Sequence, residues 1–317
     1  MSSRRPLVAA AAALAAAGLF FATASPAFAA ARTIPAGDQM YVLDCDVIDY
    51  ANAVQGWSVD STTAAVTALP DGNLIAGERC AYQAAYDATT GISYFVDIRD
   101  LDGEFSSLFT FDPATGQSTE VNPFFEGDDT TIFVVSIAIG LDGAAYAIDE
   151  DENLFSLDLS NGHLDFIDAV DDFNVFGFAV DPTTGQFWIA GDDGLRTIDV
   201  ATAAVGTPSF YDFPEGSSVQ SLQVDSAGVF WILNAPMLAD SVIELWSKFA
   251  ADNTNELSGV LLEGEDARIA TGLLIIPAPA EPALADTGVD ASLPLIAGFG
   301  ILTLGGALLL LRRRATV

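Results

Sequence analysis

Basic residues are scarce in this chain: 317 residues carry 11 Lys and Arg against 44 Asp and Glu, a formal charge of −33 at neutral pH. Five of those cations sit at the two ends, as Arg4, Arg5, Arg312, Arg313 and Arg314. Between Ala30 and Thr287 only Arg32, Arg79, Arg99, Arg196, Lys248 and Arg268 are basic, whereas every acid except Asp290 lies there. A polyanion of this kind argues against nucleic acid or an anionic membrane surface as partner, since both are bound through Lys and Arg that neutralise phosphates. Histidine is nearly absent. The single one, His163, follows the turn Ser160-Asn161-Gly162 and reads as a surface residue that opens a strand. A histidine-based triad, or a zinc site assembled from several His and Cys, has no residues to draw on.

What is present argues for a packed domain. Half of the residues are hydrophobic (51%), with 21 Phe, 7 Tyr and 4 Trp, which sets the chain apart from the disordered polyanions that its charge alone suggests. The first 29 residues combine Arg4 and Arg5, an alanine-rich apolar run, and Ala27-Phe28-Ala29 ahead of Ala30. This is a secretory signal with cleavage expected between Ala29 and Ala30, leaving a short lead over 30–37. Export places Cys45 and Cys80, the two cysteines, in an oxidising compartment, so one disulfide between them is the economical expectation. Loop entropy sets its stabilisation at no more than ~3.8 kcal/mol.

Residues 38–276 repeat one unit, seen most clearly in FAVDPTTGQFWIAGDDGLRTIDV from Phe178 to Val200. Asp181-Pro182-Thr183-Thr184-Gly185 carries turn chemistry, with Pro where φ near −65° is wanted and Gly where φ becomes positive. The flanking arms are almost unbroken apolar runs, so both faces of these strands need cover. One series of such turns falls at Asp87, Asp142, Asp181 and Asp225, with a weaker member at Ala270-Thr271-Gly272. A second falls at Asp60, Asp112, Asp158 and Asp199, with a degraded member near Asp252. A period of roughly 40–50 residues with about four short strands in each is the pattern of propeller blades. The expectation is an all-β fold, a single β-propeller of five blades, with six as the alternative if Gln39 to Leu43 and Leu273 to Ile276 belong to different blades. Because the second series begins first, the strand ending at Ile276 is expected to complete the blade begun by Gln39 to Leu43. The units resemble YVTN-type and quinoprotein-like propeller repeats. A row of immunoglobulin-like sandwiches would instead show boundaries every ~100 residues, and no linker interrupts 38–276.

After Ile276 the composition changes. Residues 277–283 form a Pro/Ala-rich spacer that favours extended polyproline conformation. Residues 293–311 are uncharged and span roughly 28 Å as a transmembrane helix, followed by the basic tail 312–317, which stays cytoplasmic and leaves the propeller outside. Between spacer and span lie Leu284, Ala285, Asp286, Thr287 and Gly288. This order of pentapeptide, span and basic tail resembles the cell-wall sorting signal of Gram-positive surface proteins. Ala285 departs from the LPxTG pattern and resembles the LAxTG variant read by class E sortases. The resemblance implies transfer of Thr287 to peptidoglycan after cleavage before Gly288, with a sortase and the wall as partners and the cell surface as location. A plain membrane anchor is the competing reading.

The acids give a weaker lead. Hard oxygen ligands in loops suit calcium, and the run Asp149, Glu150, Asp151, Glu152 is the candidate metal site, although no cluster has the spacing of a D-x-[DN]-x-[DN]-G loop and solvated turns also account for such runs. Trp188 and Trp231 hold equivalent places in QFWIA and VFWIL and read as wedges between blades rather than as a sugar-stacking platform. No catalytic residue stands out. The reading is therefore a cell-surface binding or scaffold module for an extracellular protein or glycan, with a hydrolase or lyase using funnel carboxylates as the alternative.

The anchoring expectation is directly testable. Thr287→Ala should leave the protein in the membrane fraction, held by the span, while the wild type is released only when the wall is digested. A wild type that already fractionates wholly with membrane, unaffected by Thr287→Ala, would make the pentapeptide a coincidence.

Overall fold

The structure, a computed structural model, describes residues 34–45, 54–75, 80–98, 105–127, 130–170, 175–191, 194–209, 217–236, 243–249, 254–262 and 269–278. Every element in these residues is a strand. The first group is β1 (Gln39–Cys45), β2 (Val54–Asp60) and β3 (Ala65–Ile75), and the second is β4 (Cys80–Asp87), β5 (Ile92–Ile98), β6 (Ser106–Asp112) and β7 (Gln117–Pro123). Two short strands, β8 (Phe125–Glu126) and β9 (Thr130–Thr131), precede a third group: β10 (Val134–Ile139), β11 (Ala145–Asp149), β12 (Asn153–Asp158) and β13 (His163–Ala169). The fourth is β14 (Gly177–Val180), β15 (Phe187–Gly191), β16 (Gly194–Asp199) and β17 (Ala204–Val205). The fifth is β18 (Ser217–Val224), β19 (Val229–Pro236), β20 (Ile243–Phe249) and β21 (Thr254–Leu262), and β22 (Ile269–Ile276) is the last described strand.

Each group is an antiparallel meander, and among the described residues they make four sheets arranged in the manner of a propeller. The largest sheet has eight strands because two meanders meet in it. β1 and β4 share one pair, Cys45 opposite Cys80. On its other edge β1 pairs with the C-terminal β22, from Gln39↔Ile276 to Cys45↔Ile269. The first and last described strands of the domain are thus neighbours. β4, β10, β14, β18 and β22 in turn lie side by side in a closed cycle, each against the next. Cys80 is disulfide-bonded, and Cys45 is the other cysteine of the chain.

Alternation along the strands explains why the sheets must stack. Side chains of period two point to opposite faces, and here both faces enter a core. On β1, Met40 and Val42 pack with Trp231, Leu233 and Leu273, while Tyr41 and Leu43 pack with Ala81, Phe95 and Phe109. On β14, Phe178 joins Ile148 and Leu154, and Ala179 joins Leu222 and Ile232. A further cluster sets Val96 and Leu108 against Ile137 and Phe155. Large side chains buried this fully are worth about 1.5–3 kcal/mol each, and they are shared between neighbours, so no sheet is stable by itself. Trp231 is fully buried, in keeping with a wedge, whereas Trp188 is half-buried and meets Phe230 edge-on at 4.9 Å.

The turns follow one chemical plan. In Asp87–Gly91 the glycine N–H donates to the aspartate carbonyl at 2.8 Å, and the same 2.8 Å bond closes the turns at Asp112, Asp158 and Asp181. Gly185 accordingly has φ +73°. Two turns of the second series lack the glycine: at the corresponding places Ala64 and Ala203 take φ +55° and +54°, a left-handed conformation normally avoided by residues with a Cβ. Both are almost fully buried, so the methyl group that causes the strain also fills the core.

At Gly177 β14 lies tightly against β18: a Cβ there would lie 2.6 Å from Leu222 Cβ and 2.9 Å from the Leu222 backbone nitrogen. Gly177→Ala is expected to lower stability by roughly 1–3 kcal/mol through overpacking, read as a shifted denaturant midpoint at unchanged slope. Asp97 on β5 is completely buried. Burial, reinforced by the negative charge of Glu120 and opposed by a hydrogen bond from the Cys80 backbone, raises its pKa from 3.8 to about 8. The folded state therefore holds a proton that the unfolded chain has released, and stability falls as pH rises from about 4 towards 8. Asp97→Asn should raise the melting temperature at pH 8 and have little effect at pH 4; equal shifts at both would show that Asp97 does not titrate.

Candidate functional site

The inner strands enclose an axis, and the axis is filled. Gln83, interrupting the apolar run of β4, is completely buried. Its Nε2 donates to the carbonyls of Phe178 at 3.3 Å and Leu222 at 3.1 Å, on β14 and β18. Ser221 Oγ donates to Gln83 Oε1 at 2.8 Å and accepts from the Leu273 N–H of β22 at 3.1 Å. Gln223 Nε2 reaches back to the Ala84 carbonyl at 2.7 Å, and Thr271 Oγ1 donates to the Ala81 carbonyl. Four strands are cross-linked by neutral amides and hydroxyls. Buried polar groups of this kind are tolerable because each has found partners.

A cleft of about 70 Å³ lies where these strands end, lined by Ala85 and Tyr86 of β4, Ala138 and Ile139 of β10, Phe178 to Val180 of β14, Gln223 and Val224 of β18, and Ile275 of β22. Leu141, Pro182 and Pro277 complete it from the segments that follow. Gln223 joins the cleft to the network beneath. The lining is apolar, with Tyr86 as the titratable member among the described lining residues.

Aspartates stand around this opening, and the carboxylates of Asp87, Asp181 and Asp225 are turned onto their own turns. Asp87 accepts from Thr89 N at 2.8 Å, Thr89 Oγ1 at 2.7 Å and Thr90 Oγ1 at 2.6 Å. Burial works to raise its pKa, yet these bonds outweigh it and hold the group below the ordinary carboxylate value. Asp181 repeats the arrangement with Thr183 and Thr184. Asp225 is fully buried and accepts from Ala227 N, Val229 N and, at 2.9 Å, Trp231 Nε1. Its pKa is raised, by burial first, against the pull of those donors and with the Asp38 charge adding to the rise. Neighbouring turns also interlock: Gly143 sits so close to Thr89 that a Cβ would lie 3.0 Å from its Oγ1. Asp38 completes the circle. Its Oδ2 accepts from Ser226 N at 2.9 Å and its Oδ1 from Ala278 N at 2.7 Å, which holds the chain where it leaves β22.

The proposed calcium ligands do not converge. Asp149 is buried and accepts from Asp151 N, Asn153 N and Asn153 Nδ2, acting as the internal cap of its turn. Glu150 and Asp151 are exposed, and Glu152 takes φ +67°. Among the described residues no group of three or more His, Cys, Asp or Glu is placed to hold a metal. His163 opens β13 as expected, with Phe125 against its ring at 5.1 Å. Residues 1–29, the cleavage pair Ala29 and Ala30, the pentapeptide from Leu284 to Gly288, the span 293–311 and the basic tail lie outside the described residues. Sequence reasoning missed the axial network and the Trp231–Asp225 bond. The available signal was Gln83 within CAYQAAYD, a polar residue in a run otherwise made for burial.

No protein family matches the chain. No curated protein matches it either. Among solved structures it is similar to a nidogen/laminin complex, with TM-score 0.48 and 11% identity over 77% of this chain and 100% of that one. It is also similar to TolB from Acinetobacter baumannii, with TM-score 0.42 and 11% identity over 71% of this chain and 54% of that one. The RRP9 WD40 repeats give TM-score 0.40 and 12% identity over 62% and 55%.

Proposed function

We propose that this protein is an exported, wall-anchored β-propeller of five blades that acts as a binding or scaffold module without chemistry of its own. Support for five blades comes from counting the eight-stranded sheet as two meanders, β22-β1-β2-β3 and β4-β5-β6-β7, joined at Cys45↔Cys80. The six-bladed alternative required Gln39 to Leu43 and Leu273 to Ile276 to belong to different blades, and these segments pair residue by residue. Surface display rests on the order of signal, pentapeptide, span and basic tail in the sequence, with a sortase and peptidoglycan as partners in anchoring.

The observation that carries the binding reading is the filled axis. A hydrolase or lyase working through funnel carboxylates needs two of them facing a shared opening, one to give and one to take a proton. Asp87, Asp181 and Asp225 instead spend their oxygens on backbone and side-chain donors of their own turns, and Gln83, Ser221 and Gln223 close the passage below. A rigid acidic body with an apolar dimple suits recognition of an extracellular protein or glycan.

The test is to probe the exported protein on arrays of glycans and surface proteins, with and without calcium, and to recover bound material for mass analysis. Saturable binding with the ligand recovered intact is expected. Turnover of a bound glycan would overturn the reading in favour of an enzyme.

A further inference from the structure

Resting on the binding-module reading, we propose that the apolar cleft at the end of the inner strands receives one branched aliphatic side chain of an extracellular polypeptide, presented beside Lys or Arg residues that meet the aspartates of the rim. Size decides first. The cleft holds about 70 Å³, against the roughly 300–1,000 Å³ of pockets that enclose a whole small molecule, so a sugar ring or a nucleotide is too large to be seated in it. A space of this size takes about two waters at roughly 30 Å³ each, or the end of one aliphatic side chain. The room comes from short side chains, Ala85, Ala138 and Ala179, on three different strands. Gln223, fixed on the Ala84 carbonyl at 2.7 Å, belongs to the network that closes the axis below, so the cleft is shallow and its depth is set.

Charge decides second. Lining residues on three sides hand the chain to an acid: Tyr86 is followed by Asp87, Leu141 by Asp142 and Val180 by Asp181. Asp87 and Asp181 accept from three donors each within their own turns. Asp142 is exposed: its Oδ1 accepts from the Ala144 N–H at 3.1 Å, and its Oδ2 takes no hydrogen bond among the described residues. None of the lining residues is basic. Acids grouped around a low-dielectric opening focus a negative potential, which draws cationic partners and repels anionic ones. Leu141, 50% exposed at the rim, gives the alkyl stem of a neighbouring Lys or Arg an apolar surface to lie on while its charge reaches Asp142. The seated aliphatic group then supplies strength, and the flanking cations supply the rate of encounter and the choice of partner.

The test immobilises the full exported chain and selects from a phage-displayed library of short random peptides, in parallel with two variants at exposed lining positions, Ala88→Phe to fill the cleft and Leu141→Lys to place a cation on its rim. Peptides with Leu, Ile or Val next to Lys or Arg are expected to be enriched at least five-fold over the unselected library. Both variants should lose that enrichment at least five-fold with the circular dichroism unchanged, and a selected peptide should bind more weakly with its aliphatic residue changed to Ala or at high salt. Enrichment of sequences without this pattern, equal enrichment on the variants, or no enrichment would each overturn the proposal. A glycan whose binding Ala88→Phe abolishes would overturn the polypeptide as occupant. An array ligand bound equally by wild type and Ala88→Phe would overturn this site and leave the binding-module reading standing, whereas turnover of a bound ligand overturns that reading itself.

Discussion

A strand with apolar side chains on both faces needs a neighbour on each side, and nearly every inner strand here is of that kind. Met40 and Val42 look one way from β1 and Tyr41 and Leu43 the other. Stacking sheets in an open row would leave one bare face at each end. The chain removes those ends by bringing β22 back to β1, and the hydrophobic clusters then alternate with the sheets around the whole cycle. The filled axis follows from this closure. Inner strands drawn close together leave a narrow core that backbone carbonyls line, and Gln83 with its two amide donors satisfies carbonyls of two other strands at once.

The same closure explains how so acidic a protein stays folded. Carboxylates would repel one another if left facing a common solvent space, and repulsion of this sort destabilises compact states. The aspartates of the inner turns avoid it by accepting hydrogen bonds at short range, as Asp87 and Asp181 do from three donors each, which disperses their charge into local dipoles. Negative charge thereby becomes turn chemistry.

Much of this was legible in the sequence, and the limits are physical. The turns were legible because Asp, Thr and Gly at fixed spacing have a local reason to be there, and the hairpin across Asp181 to Gly185 runs between β14 and β15 where the apolar arms placed it. The meeting of Gln39 with Ile276 could be inferred from the phase of the two turn series. What a carboxylate faces could not. Asp149 and Asp87 sit in similar acidic, turn-rich contexts, and only the fold shows that both are internal caps. The cleft was equally hidden, because its lining is gathered from five strands whose residues are far apart in the chain and chemically ordinary.

Asp38 also has a mechanical consequence. Were the domain pulled through the chain that follows Ala278, the load would enter it along β22. With nothing else at that point, tension would peel β22 from β1 one pair at a time, starting at Ile276 and Gln39. The Asp38 carboxylate grips the Ala278 amide ahead of that first pair and the Ser226 amide of a different sheet. A load entering at Ala278 would then be shared, through one carboxylate, between β1 and the turn that joins β18 to β19.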